Sequence, residues 1–172
     1  MKKIAIVALL SAFSATPALA ADVYVGGHLS LNNLNSPGFS SSTGFGVLGG
    51  YTINENIAAE VSYTTLGSPT TSVDTTATWS GSAVRAAAVF AMPVAKDIAV
   101  MGKLGLASST LTGTVSSVSV SSSVSGLSYG VGAKYNLNKE LGLTVNYDSV
   151  SFGDSSSTTA ASMISFGAVY KL

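Results

Sequence analysis

Large apolar side chains stand at alternate positions from Leu141 to Tyr147, with Gly142, Thr144, Asn146 and Asp148 in the other phase. A period of two is the pattern of a strand with one apolar and one polar face. The same alternation recurs along the chain and predicts eight strands. The first spans residues 22–31, with Val23, Val25, Leu29 and Leu31 on one face. The second spans residues 43–53, with Phe45, Val47, Tyr51 and Ile53 aligned. The third sets Ile57, Ala59, Val61 and Tyr63 against Ala58, Glu60, Ser62 and Thr64. The fourth, over residues 80–92, turns Val84, Ala86, Ala88, Phe90 and Met92 outward and Arg85 inward. Pro93 is expected to end it, because proline cannot donate to a ladder.

The fifth strand places Ile98, Val100, Leu104 and Leu106 opposite Lys103. The sixth aligns Leu127, Tyr129, Val131, Ala133, Tyr135 and Leu137 opposite Lys134. The seventh spans residues 141–150, and the eighth carries Ile164, Phe166, Ala168, Tyr170 and Leu172 on one face. Tight turns are expected at Asn54-Glu55-Asn56, at residues 93–97 and at residues 136–140. Long loops rich in Ser, Thr and Gly are expected between them, including residues 109–123 and a loop opening at Gly153. Within the former, Val115 to Val120 alternates and is read as extending its hairpin above the membrane. Long and short connections therefore alternate, as they do in outer-membrane barrels. An even strand number brings both ends of the barrel to the periplasmic side.

Composition narrows the picture. Only 9% of the 172 residues are charged, against roughly 25% in an average soluble domain. Apart from the N-terminal segment, no apolar run approaches the ~18 residues of a spanning helix. Hydrophobicity is spread over short pieces, as a membrane barrel requires. There is no cysteine, which excludes disulfides and thiolate metal sites. No basic patch speaks for nucleic acid.

Lys2 and Lys3, an apolar stretch from Ile4 to Ala15, and Ala18-Leu19-Ala20 before Ala21 read as a secretory signal cleaved after Ala20. Residues 1–20 are thus expected to be removed, and residues 21–172 to form the barrel. Without Lys2 and Lys3, six basic residues face eight acidic ones, a net charge of −2.

On the apolar faces no ionised group is expected at mid-strand, since Arg or Lys there costs roughly 2–4 kcal/mol. Glu60, Arg85, Lys103, Lys134 and Asp148 all fall in the opposite phase. They are expected to form a structural ionic network filling the lumen, with Glu60 beside Arg85 and Lys134 beside Asp148 on adjacent strands. Tyr24, His28 and Asn146 are candidates to join it, and Gly46, Gly50, Gly130 and Gly132 leave room for long side chains. Tyr51, Tyr63, Tyr135, Tyr147 and Tyr170 are expected in the interfacial girdles.

His28-Leu29-Ser30 puts an imidazole and a hydroxyl on one face, the raw material of a nucleophilic pair. No orienting acid can be named, so a lumen histidine is the better reading. No catalytic, cofactor-binding or metal-binding residue is assigned. One histidine and scattered carboxylates match no metal-site pattern. Gly44-Phe45-Gly46 and Gly130-Val131-Gly132 lie in strands and not before helices, so they are packing glycines and not phosphate cradles.

Residues 50–63, from Gly50-Tyr51-Thr52-Ile53 through Glu60-Val61-Ser62-Tyr63, resemble the second hairpin of the outer membrane protein A-like transmembrane barrels. Residues 102–107 resemble their fifth strand, and the likeness continues through residues 130–137 and 166–170. The resemblance implies an all-β, eight-stranded, antiparallel up-and-down barrel in the outer membrane of a Gram-negative bacterium. It implies an occluded or very narrow lumen and a role in envelope integrity or surface interaction. A small low-conductance porin is the alternative, and an outer-membrane lipid hydrolase a remote one. Expected partners are the bilayer, lipopolysaccharide, the barrel-assembly machinery and a host or surface ligand at the loops, with the chain a monomer. Two departures stand out. No peptidoglycan-binding domain is expected after the last strand, and the terminal residue is Leu172 where such barrels commonly end in Phe.

Overall fold

The alternating segments close into a cylinder. The computed structural model describes residues 23–34, 41–67, 78–115, 118–154 and 157–172. The expected signal at residues 1–20 lies outside them. The strands are β1 (Val23–Leu34), β2 (Ser42–Asn54), β3 (Ile57–Gly67), β4 (Thr78–Ala95), β5 (Ile98–Val115), β6 (Val118–Asn136), β7 (Leu141–Asp154) and β8 (Ser157–Lys171). Each pairs antiparallel with its sequence neighbour, and β1 pairs with β8 to close the barrel. Closure satisfies every wall strand from both sides, which lipid demands because it offers the backbone no hydrogen bonds.

The strand phases agree with the alternation. Leu29, Phe45, Leu104, Leu106, Val131, Val145 and Phe166 are exposed on the outer face. Leu106 is 67% exposed whereas Asp148 is 1% exposed. Such an inside-out distribution is stable only when hydrocarbon surrounds the cylinder. Tyr51, Tyr135 and Tyr170 share this face near the short-turn end, paired with Val23, Ile98 and Leu141 respectively. Tyr63 and Tyr147 stand in the middle of β3 and β7, so the five do not form one girdle.

Two of the tight turns are built by asparagine. Asn54 Oδ1 accepts from the Asn56 and Ile57 amides, both at 2.9 Å. Asn138 Oδ1 accepts from the amides of Glu140 at 2.9 Å and Leu141 at 2.6 Å. Each side chain mimics a backbone turn.

Three expectations about strand ends need correction. Pro93 does not end β4; it pairs with Ala99, and the strand runs on to Ala95 through a register shift. Proline is tolerated there because the shift breaks the ladder at that point. Residues 109–115 and 118–123 are strand and not loop, pairing from Ser109↔Val124 to Val115↔Val118. The stretch opening at Gly153 is likewise paired, down to Asp154↔Ser157. Ser, Thr and Val suit a pleated surface, and a hairpin above the membrane needs no apolar outer face.

That outer face changes character along β5. Leu104 and Leu106 are followed in the same phase by Ser108, Thr110 and Thr112. On β6 the same phase carries Ser121, Ser123 and Ser125 before Leu127 and Tyr129. The hydroxyls pair across the two strands: Thr110 with Ser123 at 2.9 Å, Thr112 with Ser121 at 3.0 Å, Ser125 with Ser108 at 3.1 Å. Hydrocarbon therefore gives way to water between Leu106 and Thr110, and the β4–β6 sheet stands above the bilayer.

Candidate functional site

The lumen gathers the ionised side chains. Glu60 on β3, Arg85 on β4, Lys103 on β5 and Asp148 on β7 are all buried. Lys103 Nζ lies 2.8 Å from Glu60 Oε1, and Arg85 Nη2 lies 3.6 Å from the same oxygen. Arg85 Nη1 meets Asp148 Oδ1 on the far side. That last contact is an ion pair by proximity; its angles do not make a directed hydrogen bond. Tyr24 donates its hydroxyl to Glu60 Oε2 at 3.3 Å. The result is a chain Lys103–Glu60–Arg85–Asp148 crossing the barrel, with charges of +1, −1, +1 and −1. Alternation of sign is what permits four charges in so small a space, since an unpaired ion there would face a penalty of several kcal/mol.

Register explains which residues meet. Glu60 pairs with Ala87, and Arg85 pairs with Ser62, two residues along the strand, so their long side chains converge diagonally. Lys134 is different. Asp148 is opposite Gly130, and Lys134 is opposite Thr144. Four residues along a strand is roughly 13 Å, too far for the expected Lys134–Asp148 pair. Lys134 makes no ion pair among the described residues; its aliphatic end passes beside Gly142, near the short-turn rim.

Glycine makes the network sterically possible. A methyl group at Gly130 would collide with the Asp148 carboxylate, and one at Gly50 with the Tyr24 ring. Gly46 and Gly132 stand in the same way beside His28 and Asn146. Each glycine on one strand is the space used by a bulky group on the next.

His28 and Ser30 both face inward and are buried. His28 Nε2 lies 3.0 Å from Thr64 Oγ1, so the ring meets a hydroxyl and not an orienting carboxylate. Asn146 Nδ2 donates to Ser165 Oγ at 3.4 Å on the neighbouring wall. Among the described residues no group of three His, Cys, Asp or Glu could hold a metal ion.

One part of the lumen was not anticipated by polarity. Leu48, Val89, Met101 and Val169 face inward and are buried beside the ionic chain. Their phase gives them away in retrospect: each lies two residues from an inward glycine, alanine or lysine, namely Gly46, Ala87, Lys103 and Gly167. The lumen is thus filled by apolar side chains as well as by ion pairs.

A closed eight-stranded barrel with apolar exterior and ionic interior is an outer-membrane architecture, and the sequence agrees. The family described as "Outer membrane protein beta-barrel domain" matches residues 5–171. The chain belongs to that family. It is an outer-membrane β-barrel, embedded in the lipid bilayer. Neisserial surface protein A (NspA) superposes with a TM-score of 0.67 at 15% identity, covering 91% of this chain and 100% of that one. The N-terminal barrel domain of OprF from Pseudomonas aeruginosa gives 0.65 at 15% identity, covering 87% and 97%. Ail of Yersinia pestis, in complex with the heparin analogue sucrose octasulfate, gives 0.60 at 16% identity, covering 88% and 97%. At these identities the likeness concerns the fold. No curated protein matches the sequence.

Proposed function

We propose that this barrel has a structural and surface-interaction role in the outer membrane, with its lumen closed to solutes. The observation that carries the reading is the Lys103–Glu60–Arg85–Asp148 chain across the lumen. Eight strands leave an interior just wide enough for side chains, and here long charged ones occupy it together with buried apolar ones. The part free to work is then the surface above the bilayer. Residues 104–133, which include the raised β5–β6 hairpin, contain no charged residue. Sulfated ligands, such as the analogue bound to Ail, need basic partners that this hairpin does not offer. A neutral, hydroxyl-bearing or polypeptide surface is the better match.

Lipopolysaccharide and phospholipid would contact the outward apolar band. The assembly machinery would read the last strand, in which Phe166, Tyr170 and Leu172 share the outer face. Nothing in the fold calls for more than a monomer in the membrane. A secretory signal at residues 1–20 would serve this route.

The second reading, a low-conductance pore, is favoured by a different observation. Ser30 Oγ, Asn32 Oδ1, Asn146 Oδ1 and Asp148 Oδ2 are buried acceptors without protein partners. Buried polar atoms of this kind are ordinarily met by water, so water is expected against the wall that β1 and β7 supply. A lipid hydrolase is disfavoured because His28 and Ser30 face the lumen and not the lipid. Planar-bilayer recordings of the refolded protein separate the readings. A silent membrane supports the closed barrel, and discrete steady conductance of the unmodified protein would replace it with the pore.

A further inference from the structure

The β4–β6 sheet that stands above the bilayer has one open side. Along β5, β6 is paired without interruption to Val115↔Val118, and β4 accompanies β5 to Thr78↔Thr114. On its other side β6 pairs with β7 only from Gly126↔Phe152 downward. Residues 118–125 therefore carry a row of backbone N–H and C=O groups with no strand beside it among the described residues. Eight residues of strand span roughly 27 Å.

Native proteins protect such an edge with charge, proline, a bulge or a covering element. The segment Val118-Ser119-Val120-Ser121-Ser122-Ser123-Val124-Ser125 has neither charge nor proline. Its register with β5 is continuous, so it has no bulge. Three of its eight residues are valine, a strong β-former, and the other five are serine. An edge of this composition is open to strand addition, and main-chain bonds would supply the affinity.

We propose that the β6 edge pairs antiparallel with the same edge of a second copy of this chain held in a facing membrane. This rests on the surface-interaction reading above and names its partner. The choice of a second copy follows from symmetry and chemistry. Antiparallel strands are related by a two-fold axis normal to the sheet, so each face meets its like. Ser121, Ser123 and Ser125 would continue one hydroxyl face across the pair, with Val124 in the other phase. No charge or aromatic group on the edge selects a foreign strand. No like charges on the edge oppose its own copy.

The same axis fixes where the copy sits. At a barrel wall the sheet normal lies in the membrane plane, and a half-turn about it inverts the barrel. The partner is therefore in an opposed bilayer. Two copies in one bilayer would present parallel edges at equal depth. Parallel ladders are slanted, so bonding would need one barrel displaced along its strand. Single pairings are weak, but two surfaces bearing many copies add them by effective concentration.

The full chain in phospholipid vesicles tests this, because such vesicles lack the sugar layer that spaces two outer membranes. Ser121 and Ser123 are exposed on the hydroxyl face, so charge placed there remains in water. Vesicles with the unmodified chain are expected to cluster, seen as a several-fold rise in light scattering over protein-free vesicles. Vesicles with S121K/S123K, or with S121E/S123E, are expected to stay dispersed. A mixture of the two is expected to cluster again. The chain has no cysteine, so Ser121→Cys introduces a single thiol that should form disulfide dimers, while Thr112→Cys on the central strand β5 should not. Dispersed unmodified vesicles, clustering indifferent to charge, or no rescue on mixing would each overturn the proposal. Conductance of the same vesicles reports separately on the closed lumen, so the two readings can fail independently.

Discussion

Arg85 on β4 and Asp148 on β7 are in contact although β5 and β6 stand between them in the wall. The pair is a strut through the lumen. Removing one end leaves the other charge buried without its partner, which costs about 3–5 kcal/mol. Arg85→Ala should therefore lower the thermal unfolding midpoint in detergent and open a leak in planar bilayers. Unchanged stability together with unchanged conductance would remove the ionic network from the account.

Glycine packing gives a paired test. Gly130→Ala places a methyl group against the Asp148 carboxylate, whereas nothing lies within 4 Å of the corresponding position at Gly102. Overpacking of this kind costs roughly 1–3 kcal/mol. Denaturant titration of the two variants should show a clear loss for Gly130→Ala and almost none for Gly102→Ala. Equal losses would mean that generic strand effects, and not the lumen contact, set the cost.

The lipid boundary along β5 predicts a position effect on one face of one strand. Leu104→Arg should cost roughly 2–4 kcal/mol at the bilayer interior. Thr112→Arg, four turns of the alternation further up the same face, should fall within about 0.5 kcal/mol of the unmodified chain. Equilibrium refolding into lipid vesicles measures both.

Leu172 offers a test of biogenesis. Its amide donates to Val23 O at 2.8 Å, so the residue after β8 is tied to the first strand, while Leu172 is 71% exposed. If assembly reads Phe166, Tyr170 and Leu172 as one face, deletion of Leu172 should lower the folded, heat-modifiable fraction in cell envelopes and Leu172→Phe should raise it. No change in either variant would show that Leu172 is not part of the feature read.

Strand phase was legible because lipid outside and charge inside impose it residue by residue; Leu104 and Lys103 fall on opposite faces from the alternation alone. Strand ends were less legible. Above the bilayer Ser108, Thr110 and Thr112 keep the ladder but lose the apolar mark, so hairpin and loop have the same composition. Contacts across the lumen were partly legible. Glu60 and Arg85 lie diagonally on adjacent strands, but Arg85 and Asp148 do not, and Lys134 is separated from Asp148 by register. Sequence phase tells which side a residue faces, whereas register and side-chain length decide what it touches. The inward Leu48, Val89, Met101 and Val169 were hidden because a lumen packed with side chains accepts apolar groups beside paired ions.

Spin labels read the local medium directly. Labels at Leu104 and Val145 should show high collision with oxygen and little with a water-soluble nickel chelate, as hydrocarbon requires. A label at Thr112 should show the reverse, placing the boundary between Leu104 and Thr112. Nickel access at Leu104 and Val145 equal to that at Thr112 would mean that no bilayer surrounds this face.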